Sequence, residues 1–511
     1  MRSTLSMTRR KESVSWNPHS YQLKAIKFGI SRGGALFLLD PGLGKTSISL
    51  AIVSLLMQQE LLPGRVLVIA PLRVCHLVWP AELQKWLDFR HLSMGVLHGP
   101  SKESELQKRN DIDVVNPDGL EWLLGATVKK KMVKGRDGQL HERVSVEVDM
   151  ARVKALGYSM LIVDEITQFK NTNSQRFKML KKAVNTFDRR YGLTGTPASN
   201  GLQDLFGQVY IVDGGRALGP YVTHFRKEFF DVDDYAHSCT PKEGAEERIY
   251  ELLRPIALRM EAADYIDMPA LITTPDTDIL VDLPPSVQKR YDEMEQFFIT
   301  ELLDGSKVTA VNAAVKSGKL RQIASGGLFK QHDANGMPVT GAGWENMHMA
   351  KIDALQELVE SLPGRPILVG YEYQHDLDRL QKRFGKDLPY IAGGVSMKRT
   401  KELETEWNKG RLHILAAHPR SVGHGLNLQE AANVVAWLTT TWDLELLDQF
   451  IRRIWRQGNA AKHVFNYHIL MRNTIEEAVM LALHSKAKTQ KALLDALKDY
   501  AVEKKKTFAR R

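Results

Sequence analysis

The sequence predicts an α/β protein of two lobes, each a doubly wound parallel sheet, with helical insertions between them. Between residues 35 and 200, short apolar runs rich in β-branched residues alternate with longer helical patterns, which is the rhythm of a parallel sheet flanked by helices. The same rhythm returns between Pro366 and Ile469. Residues 201 to 345 lack it and read mainly as helices and loops, with the charged stretch Asp231 to Arg248 and the Gly-rich stretch Gly326 to Gly343 as exposed connections.

Met1 to Asn17 is polar and basic, without the apolar core of a secretory signal, and is expected to be flexible. Tyr21-Gln22 opens a helix, and Ala35 to Leu39 is the first strand. The strand runs into Asp40-Pro41-Gly42-Leu43-Gly44-Lys45-Thr46, followed by a helix from Ser47 to Met57. A strand, a glycine-rich turn and a helix with Lys-Thr in its first turn form a phosphate cradle. Backbone N–H groups face the anion, Lys45 reaches the terminal phosphates, and the Thr46 hydroxyl ligates magnesium. Leu39 is a departure, since the general pattern has glycine there. A lone loop of this kind is also compatible with a plain turn carrying a solvated lysine.

The next strands are Arg65 to Ala70 and Asp113 to Val115. Lys129 to Val148 reads as a basic β-hairpin turning at Gly135-Arg136-Asp137-Gly138 and inserted in the first lobe. The strand Met160 to Val163 ends in Asp164-Glu165, the acidic partner a phosphate loop needs: the aspartate holds magnesium, often through water, and the glutamate polarises the attacking water. Tyr191 to Leu193 is followed by Thr194-Gly195-Thr196-Pro197, whose hydroxyls fall at the carboxyl edge of the sheet, where ligands sit, and are placed to sense a γ-phosphate. Gln22 can bond both a donor and an acceptor on adenine's edge, which favours ATP over GTP.

In the second lobe the strands are Pro366 to Val369, Leu412 to Ala416, Asn433 to Trp437 and Val464 to Ile469. The helical pattern Leu446 to Arg456 would put Arg453 and Arg456 on one helix face. The tail from Glu503, with Lys504, Lys505, Lys506, Arg510 and Arg511, reads as a frayed basic end.

A net charge of +10 over 511 residues favours an anionic partner, of which nucleic acid is the commonest. Two cysteines, Cys75 and Cys239, cannot build a disulfide framework, and the scattered histidines form no metal-binding pattern. No run of eighteen apolar residues occurs, so membrane spanning is not expected.

Tyr21-Gln22, the Asp40 to Thr46 loop, Ile69-Ala70-Pro71, Asp164-Glu165, the Leu193 to Pro197 run and Arg453 with Arg456 together resemble the ordered motifs of superfamily-two helicase-like ATPases. Five further stretches make the chain most similar to the Swi/Snf-type DNA translocases, over about residues 18 to 485. They are Val78-Trp79-Pro80-Ala81-Glu82-Leu83 with Trp86, Leu253-Arg254-Pro255, Leu258-Arg259, Leu320-Arg321-Gln322-Ile323 and Asn473-Thr474-Ile475-Glu476-Glu477.

The resemblance implies RecA-like lobes over residues 18–205 and 346–485, with helical insertions and a linker over 206–345, a flexible N-terminus over 1–17 and a basic tail over 486–511. It implies a nucleic-acid-dependent ATPase, and more narrowly a translocase stimulated by double-stranded DNA, with ATP and magnesium in a cleft between the lobes. Lys45, Asp164, Glu165, Arg453 and Arg456 form the implied catalytic set. Tyr21, Gln22, Asp40, Gly42, Leu43, Gly44, Lys45, Thr46, Gly425 and Gln449 are the implied nucleotide contacts, and Thr46 and Asp164 the metal contacts. A guanidinium at the γ-phosphate offsets charge developing in the transition state, an effect on the order of a thousandfold or more.

Gly425 belongs to the Gly-rich element Ser421 to Leu428, and Gln449 matches the glutamine that opens the last motif. Trp442 fits a family tryptophan, with core packing as an equal alternative. DNA contacts are implied at Arg73, Asn116, Lys170, Thr194 and Gly423. A tracking motor must hold any sequence, so phosphates and sugars are the expected targets.

Two departures stand out: Ile166-Thr167 where the family has Ala-His, and Trp455 where it has histidine between the arginines. Nucleotide contact is expected to survive both, and coupling between lobes to differ. A strand-separating DNA or RNA helicase and an ATP-gated clamp with little turnover are the alternatives. The expected setting is a compact motor of a bacterium or virus, in the cytoplasm or the host cytoplasm.

Overall fold

The computed structural model describes residues 14–134, 140–195, 201–233, 238–265, 269–273, 276–303, 310–330, 343–422, 425–484, 502 and 504. The chain divides into two compact units. The first comprises Met1–Pro197, Asp204–Phe229 and Lys242–Tyr265, and the second Ala198–Gln203, Phe230–Pro241 and Ile266–Arg511.

In the first unit the strands are β1 (Gly34–Leu39), β2 (Arg65–Ile69), β3 (Met94–Val96), β4 (Ile112–Val115), β5 (Thr127–Lys134), β6 (Leu140–Glu147), β7 (Tyr158–Asp164), β8 (Arg189–Thr194) and β9 (Ala257–Met260). Seven form one sheet in the order β9-β1-β8-β7-β2-β4-β3, every pair parallel. Ala35 to Leu39, Val66 to Ile69 and Met160 to Val163 are buried without a break. Successive strand residues point to opposite faces, so both faces of this sheet are covered. The helices that matter for the site are α1 (Ser20–Ile30), α2 (Lys45–Gln58), α3 (Leu72–Leu77), α4 (Trp79–Lys85) and α5 (Gln175–Ala183). β5 and β6 form the expected antiparallel hairpin, with Thr127 opposite Glu147 and Lys134 opposite Leu140. Its turn at Gly135 to Gly138 lies outside the described residues.

In the second unit the strands are β10 (Ala270–Ile272), β11 (Asp278–Val281), β12 (Ile367–Gly370), β13 (Tyr390–Ile391), β14 (Ile414–Ala417), β15 (Val434–Trp437) and β16 (His463–Met471). They form a parallel sheet in the order β10-β16-β15-β12-β14-β13, with β11 also pairing β16. Leu368, Leu415, Val435 and Trp437 pack into one apolar cluster, while Ile367, Val369, Ala416 and Ala436 pack into another. The alternation places a core on each face of the sheet. Helices α6 (Ala310–Ser325), α7 (Ala350–Ser361), α8 (Gln374–Phe384), α9 (Met397–Asn408), α10 (Leu444–Ile451) and α11 (Ile475–His484) complete the part used below.

Residues 201 to 345 depart from the expected helices and loops. They supply β9 to the first sheet and β10 and β11 to the second. The charged stretch holds a small hairpin, Phe230–Asp233 against Ser238–Pro241, and the Gly-rich stretch pairs Gly327–Phe329 with Trp344–Asn346. Strands of three or four residues docked on an existing edge need no apolar alternation of their own, so periodicity does not announce them.

Lys504, expected in a frayed tail, makes an ion pair at 3.2 Å with the buried Glu295 and donates to the Asn473 carbonyl. Gly423, Thr196 and Pro197 lie outside the described residues, as does most of residues 1–17 and 486–511. Among the described residues no helix is long and apolar enough to cross a membrane.

Candidate nucleotide site and its basic edge

The loop between β1 and α2 is fixed from both sides. The Asp40 N–H donates to the Met260 carbonyl and its carboxylate accepts from the Ala262 N–H, each at 3.1 Å, which ties the loop's start to β9. Gly44 has φ +80°, and a Cβ there would lie 2.6 Å from the Gln22 amide nitrogen. Backbone and space both require glycine. Gln22 accepts from the His19 N–H at 2.9 Å and donates to the Leu43 carbonyl at 3.3 Å. Its amide therefore lies against the loop, and an adenine edge must share or replace these bonds. Lys45 Nζ donates to the Leu39 carbonyl at 2.7 Å. The residue that departs from the pattern thus buries its side chain in the core and offers its carbonyl to the lysine.

β7 delivers the acids two strands from β1. Asp164 ends the strand, and Glu165 sits at φ +64° before the 3-10 turn Ile166–Phe169. That left-handed conformation costs a residue with a side chain about 1–3 kcal/mol. Glu165 Oε1 accepts from Thr167 Oγ1 at 2.7 Å and from Thr194 Oγ1, at the end of β8, at 2.8 Å. Thr194, expected at nucleic acid, is fully buried and feeds this carboxylate. Ile166 is fully buried too, and its Cδ1 occupies the space where a Cβ on Gly192 would stand. Burial pushes the Asp164 carboxyl up to about 6, against the downward pull of the Trp79 indole and the Lys45 ammonium.

α4 wires these groups together. Trp79 Nε1 donates to Asp164 Oδ2 at 2.9 Å, and Glu82 Oε1 accepts from Ser47 Oγ on α2 and from Trp86 Nε1, both at 2.7 Å. In the sequence this segment reads only as a family mark. A tryptophan and a glutamate three apart, ahead of a second tryptophan, are the signal that could have assigned it a positioning role.

The other half of the same carboxyl edge is basic and polar. Lys170 follows β7, Arg73 follows β2 and Asn116 follows β4, three neighbouring strands. Lys170 forms a 3.5 Å ion pair with Asp204, Arg73 is lowered in pKa by burial, and Asn116 precedes the turn Pro117–Gly119, its backbone carbonyl accepting from the Gly119 N–H at 2.9 Å.

In the second unit the two arginines do not share a helix face. α10 ends at Ile451, and the N–H groups of Arg453 and Ile454 bond three residues back, to Phe450 and Ile451, both at 3.0 Å. The tightened last turn leads the chain off the helix axis before Arg456. Arg453 donates to the carbonyls of Gln449 at 3.0 Å and Leu426 at 3.1 Å. Arg456 donates from Nη1 to Asn427 Oδ1 at 2.8 Å, while its buried Nε has no hydrogen-bond partner among the described residues. The buried Oε1 of Gln449 has none either.

Gly425 and its neighbours are held by α9: Glu404 accepts from the Asn427 N–H at 2.9 Å, Trp407 donates to the Leu428 carbonyl at 2.9 Å and Asn408 to the Asn427 carbonyl at 2.7 Å. Trp442 lies under the Arg321 guanidinium at 4.5 Å, a packing role. Trp455 donates to the Pro269 carbonyl at 2.8 Å, which accounts for an indole at that position.

The Asp164 carboxylate and Thr46 hydroxyl are hard oxygen donors of the kind Mg²⁺ takes alongside phosphate oxygens and water. Among the described residues no group of three His, Cys, Asp or Glu gathers as a protein-built metal cage. Magnesium would neutralise phosphate charge. The chain's own residues would grip the phosphates through the loop and Lys45 and aim a carboxylate at water through Glu165.

Residues 10–325 match the SNF2-related domain and residues 350–458 the helicase conserved C-terminal domain. Protein p41 of Acyrthosiphon pisum secondary endosymbiont phage 1 is 32% identical over 505 residues, covering 95% of this chain and 99% of its own. The CHD3-type chromatin-remodeling factor PICKLE of Arabidopsis thaliana is 26% identical, covering 94% of this chain and 34% of its own. An uncharacterized ATP-dependent helicase of Mycoplasma genitalium is 25% identical, covering 95% and 42%. The chain thus spans nearly all of the phage protein and well under half of the other two. Among solved structures, the Sulfolobus solfataricus SWI2/SNF2 ATPase core in complex with dsDNA is 20% identical and covers 96% of this chain and 95% of its own, at a TM-score of 0.41.

Proposed function

The chain belongs to the SNF2-related family of helicase-like, nucleic-acid-dependent ATPases, and from that premise we propose that it is a translocase stimulated by double-stranded DNA. In this reading ATP with magnesium is held between the two units. Lys45 and the Asp40 to Thr46 loop grip the phosphates, Thr46 and Asp164 hold the metal, and Glu165 accepts the proton of the attacking water. Arg453 and Arg456 are assigned to the phosphates from the second unit, with Gln449 and Gly425 beside them.

The observation that carries the reading is the division of one sheet edge. Lys45 follows β1 and the acids follow β7, while Lys170, Arg73 and Asn116 continue the line at the ends of β7, β2 and β4. Hydrolytic groups and phosphate-binding candidates therefore share a rigid scaffold, so movement at one is transmitted to the other. DNA is assigned as the partner, contacted through its backbone without sequence preference. The phage relative favours the host cytoplasm as the compartment.

ATPase activity measured with duplex DNA, single-stranded DNA and RNA, beside a strand-displacement assay, tests this. Duplex is expected to stimulate most, without processive unwinding. Strand displacement without duplex preference would replace the reading with a helicase, and no stimulated turnover would replace it with a clamp.

A further inference from the structure

α4 is only seven residues long, yet its side chains bond to both elements that carry the proposed metal contacts. Trp79 Nε1 donates to Asp164 Oδ2 at 2.9 Å, at the end of β7. Glu82 Oε1 accepts at 2.7 Å from Ser47 Oγ in the first turn of α2, one residue beyond Thr46. Trp79 and Glu82 lie three apart, so neighbouring positions on one helix face serve both bonds.

The Ser47 side chain is buried, and its hydroxyl does not take the local partner. Ser49 on the same helix bonds back to the Lys45 carbonyl at 2.9 Å, the common arrangement for a serine inside a helix. Ser47 turns instead to a carboxylate on another helix, and a hydrogen bond to an ionised acceptor is roughly twice as strong as a neutral one. That carboxylate is fixed from behind. The same Glu82 oxygen accepts from Trp86 Nε1 at 2.7 Å, and Trp86 bridges to Val14. The Leu87 N–H donates to the Val14 carbonyl at 3.3 Å, and the Trp16 N–H to Asp88 Oδ2 at 2.6 Å. All of these groups belong to the first unit.

We propose that Glu82 is a positioning residue for the magnesium-bound nucleotide: through Ser47 it fixes the first turn of α2, and with it the Thr46 hydroxyl, against the Asp164 carboxylate that Trp79 of the same helix holds. The proposal rests on the assignment of Thr46 and Asp164 to the metal made above. Glu82 touches neither metal nor phosphate in this role. It keeps two hard oxygen donors in register, and outer partners of this kind commonly set metal affinity by about 10–100-fold.

The full chain, Glu82→Ala, Glu82→Gln, Ser47→Ala and the Glu82→Ala/Ser47→Ala double variant are compared by titrating Mg²⁺ into mixtures with a fluorescent, non-hydrolysable ATP analogue. Melting midpoints are taken on the same samples. Glu82→Ala is expected to raise the Mg²⁺ concentration at half-maximal binding by about tenfold or more, while analogue affinity in EDTA changes by less than about twofold. Glu82→Gln keeps an acceptor oxygen and should lie within about threefold of wild type. Ser47→Ala should reproduce the shift, and the double variant should be no worse than Glu82→Ala, because both substitutions remove the same bond. Ser47→Ala deletes a single hydroxyl, so it carries the test if Glu82→Ala folds poorly.

An unshifted magnesium midpoint in Glu82→Ala and Ser47→Ala, in a wild-type protein whose analogue binding magnesium tightens, overturns the bracket and leaves the metal assignment standing. Additive shifts in the double variant overturn it too. Equal weakening with and without magnesium overturns it in favour of helix packing alone. A wild-type protein whose analogue binding ignores magnesium overturns both the bracket and the metal assignment.

Discussion

Thr167 donates a 2.7 Å hydrogen bond to Glu165, two residues behind it, across a backbone turn that Glu165 itself enters in a left-handed conformation. A carboxylate so tied keeps one oxygen engaged, and among the described residues no hydrogen bond reaches Oε2, the oxygen available to water. Thr167→Val removes this donor and leaves only Thr194 on Oε1. A hydrogen bond to a charged group contributes about 1.5–3 kcal/mol, so kcat for ATP is expected to fall about tenfold or more. KM should stay within about twofold, since the proposed phosphate grip is the loop and Lys45. Thr167→Ser should recover most of the rate, and steady-state kinetics at saturating nucleic acid decides the matter.

Trp79→Phe deletes the indole N–H that Asp164 accepts. Burial already holds that carboxyl at about 6, and losing the donor raises it further. With Asp164 in its proposed role at magnesium, the proton must leave before the cation binds, so Mg²⁺ affinity is expected to fall as pH drops through about 6 in the wild type and to begin falling at higher pH in the variant. Metal-free stability has the opposite sign. A folded-state value above the unfolded 3.8 means the native chain holds the proton more tightly, so this group's contribution declines as pH rises from 3.8 to about 6. Magnesium titrations of nucleotide binding from about pH 5 to about pH 8 measure the first effect.

Lys45→Ala and Glu165→Gln are each expected to lower ATP turnover by about a hundredfold or more while leaving duplex affinity within about threefold. Hydrolysis at wild-type rate by Glu165→Gln would remove Glu165 from the role of base.

Arg456 and Arg453 should separate by phenotype. Arg453 is bonded to the backbone of Gln449 and Leu426, so Arg453→Ala is expected to lower the melting midpoint as well as the rate. Arg456 has a buried Nε with no hydrogen-bond partner among the described residues, and in its proposed role at the phosphates Arg456→Ala should cost about a thousandfold in kcat with little change in melting. Calorimetry beside single-turnover hydrolysis distinguishes them.

Glu476 accepts from Lys351 Nζ at 2.6 Å and from the Met471 N–H at 2.9 Å, with the Lys351 side chain fully buried. Glu476→Ala removes the buried ammonium's hydrogen-bonded carboxylate, leaving it the Leu438 carbonyl and the more distant Asp376 charge, and should destabilise the second unit by about 3–5 kcal/mol. Lys351→Met with Glu476→Leu should recover much of it, as read by urea unfolding.

Much of the scaffold was legible because its strands are continuous apolar runs, such as Ala35 to Leu39 and Met160 to Val163, ended by residues with special chemistry. The strand-turn-helix at Asp40 to Thr46 and the acidic end of the strand at Asp164 were legible together, from the residues that end their strands. β9 to β11 did not, because pairing with an edge supplies what their own composition lacks. The helix expected to carry both arginines stops early for a reason the pattern does not encode: after Ile451 the regular i to i−4 ladder breaks up, with Arg453 and Ile454 bonding three residues back and Arg456 two. The roles of Trp79, Glu82 and Thr167 were hidden because a hydrogen bond between residues 85 apart, as between Trp79 and Asp164, is a property of the packed sheet.

The absent side chain at Gly192 bears on how this sequence can change. Ile166 fills the space above it, so Gly192→Ala forces the Ile166 side chain to move for as long as isoleucine stays at 166. Ile166→Ala opens most of that space at the expense of a void, and a methyl at 192 then fits once Leu36 Cδ1 and Val212 Cγ2, each 3.1 Å away, give by a few tenths of an ångström. The two substitutions commute on paper but not in the protein: one order passes through a cavity, the other through a clash beneath Glu165. A mutational route through this corner therefore has a direction, and libraries that vary either position alone will not find its far end.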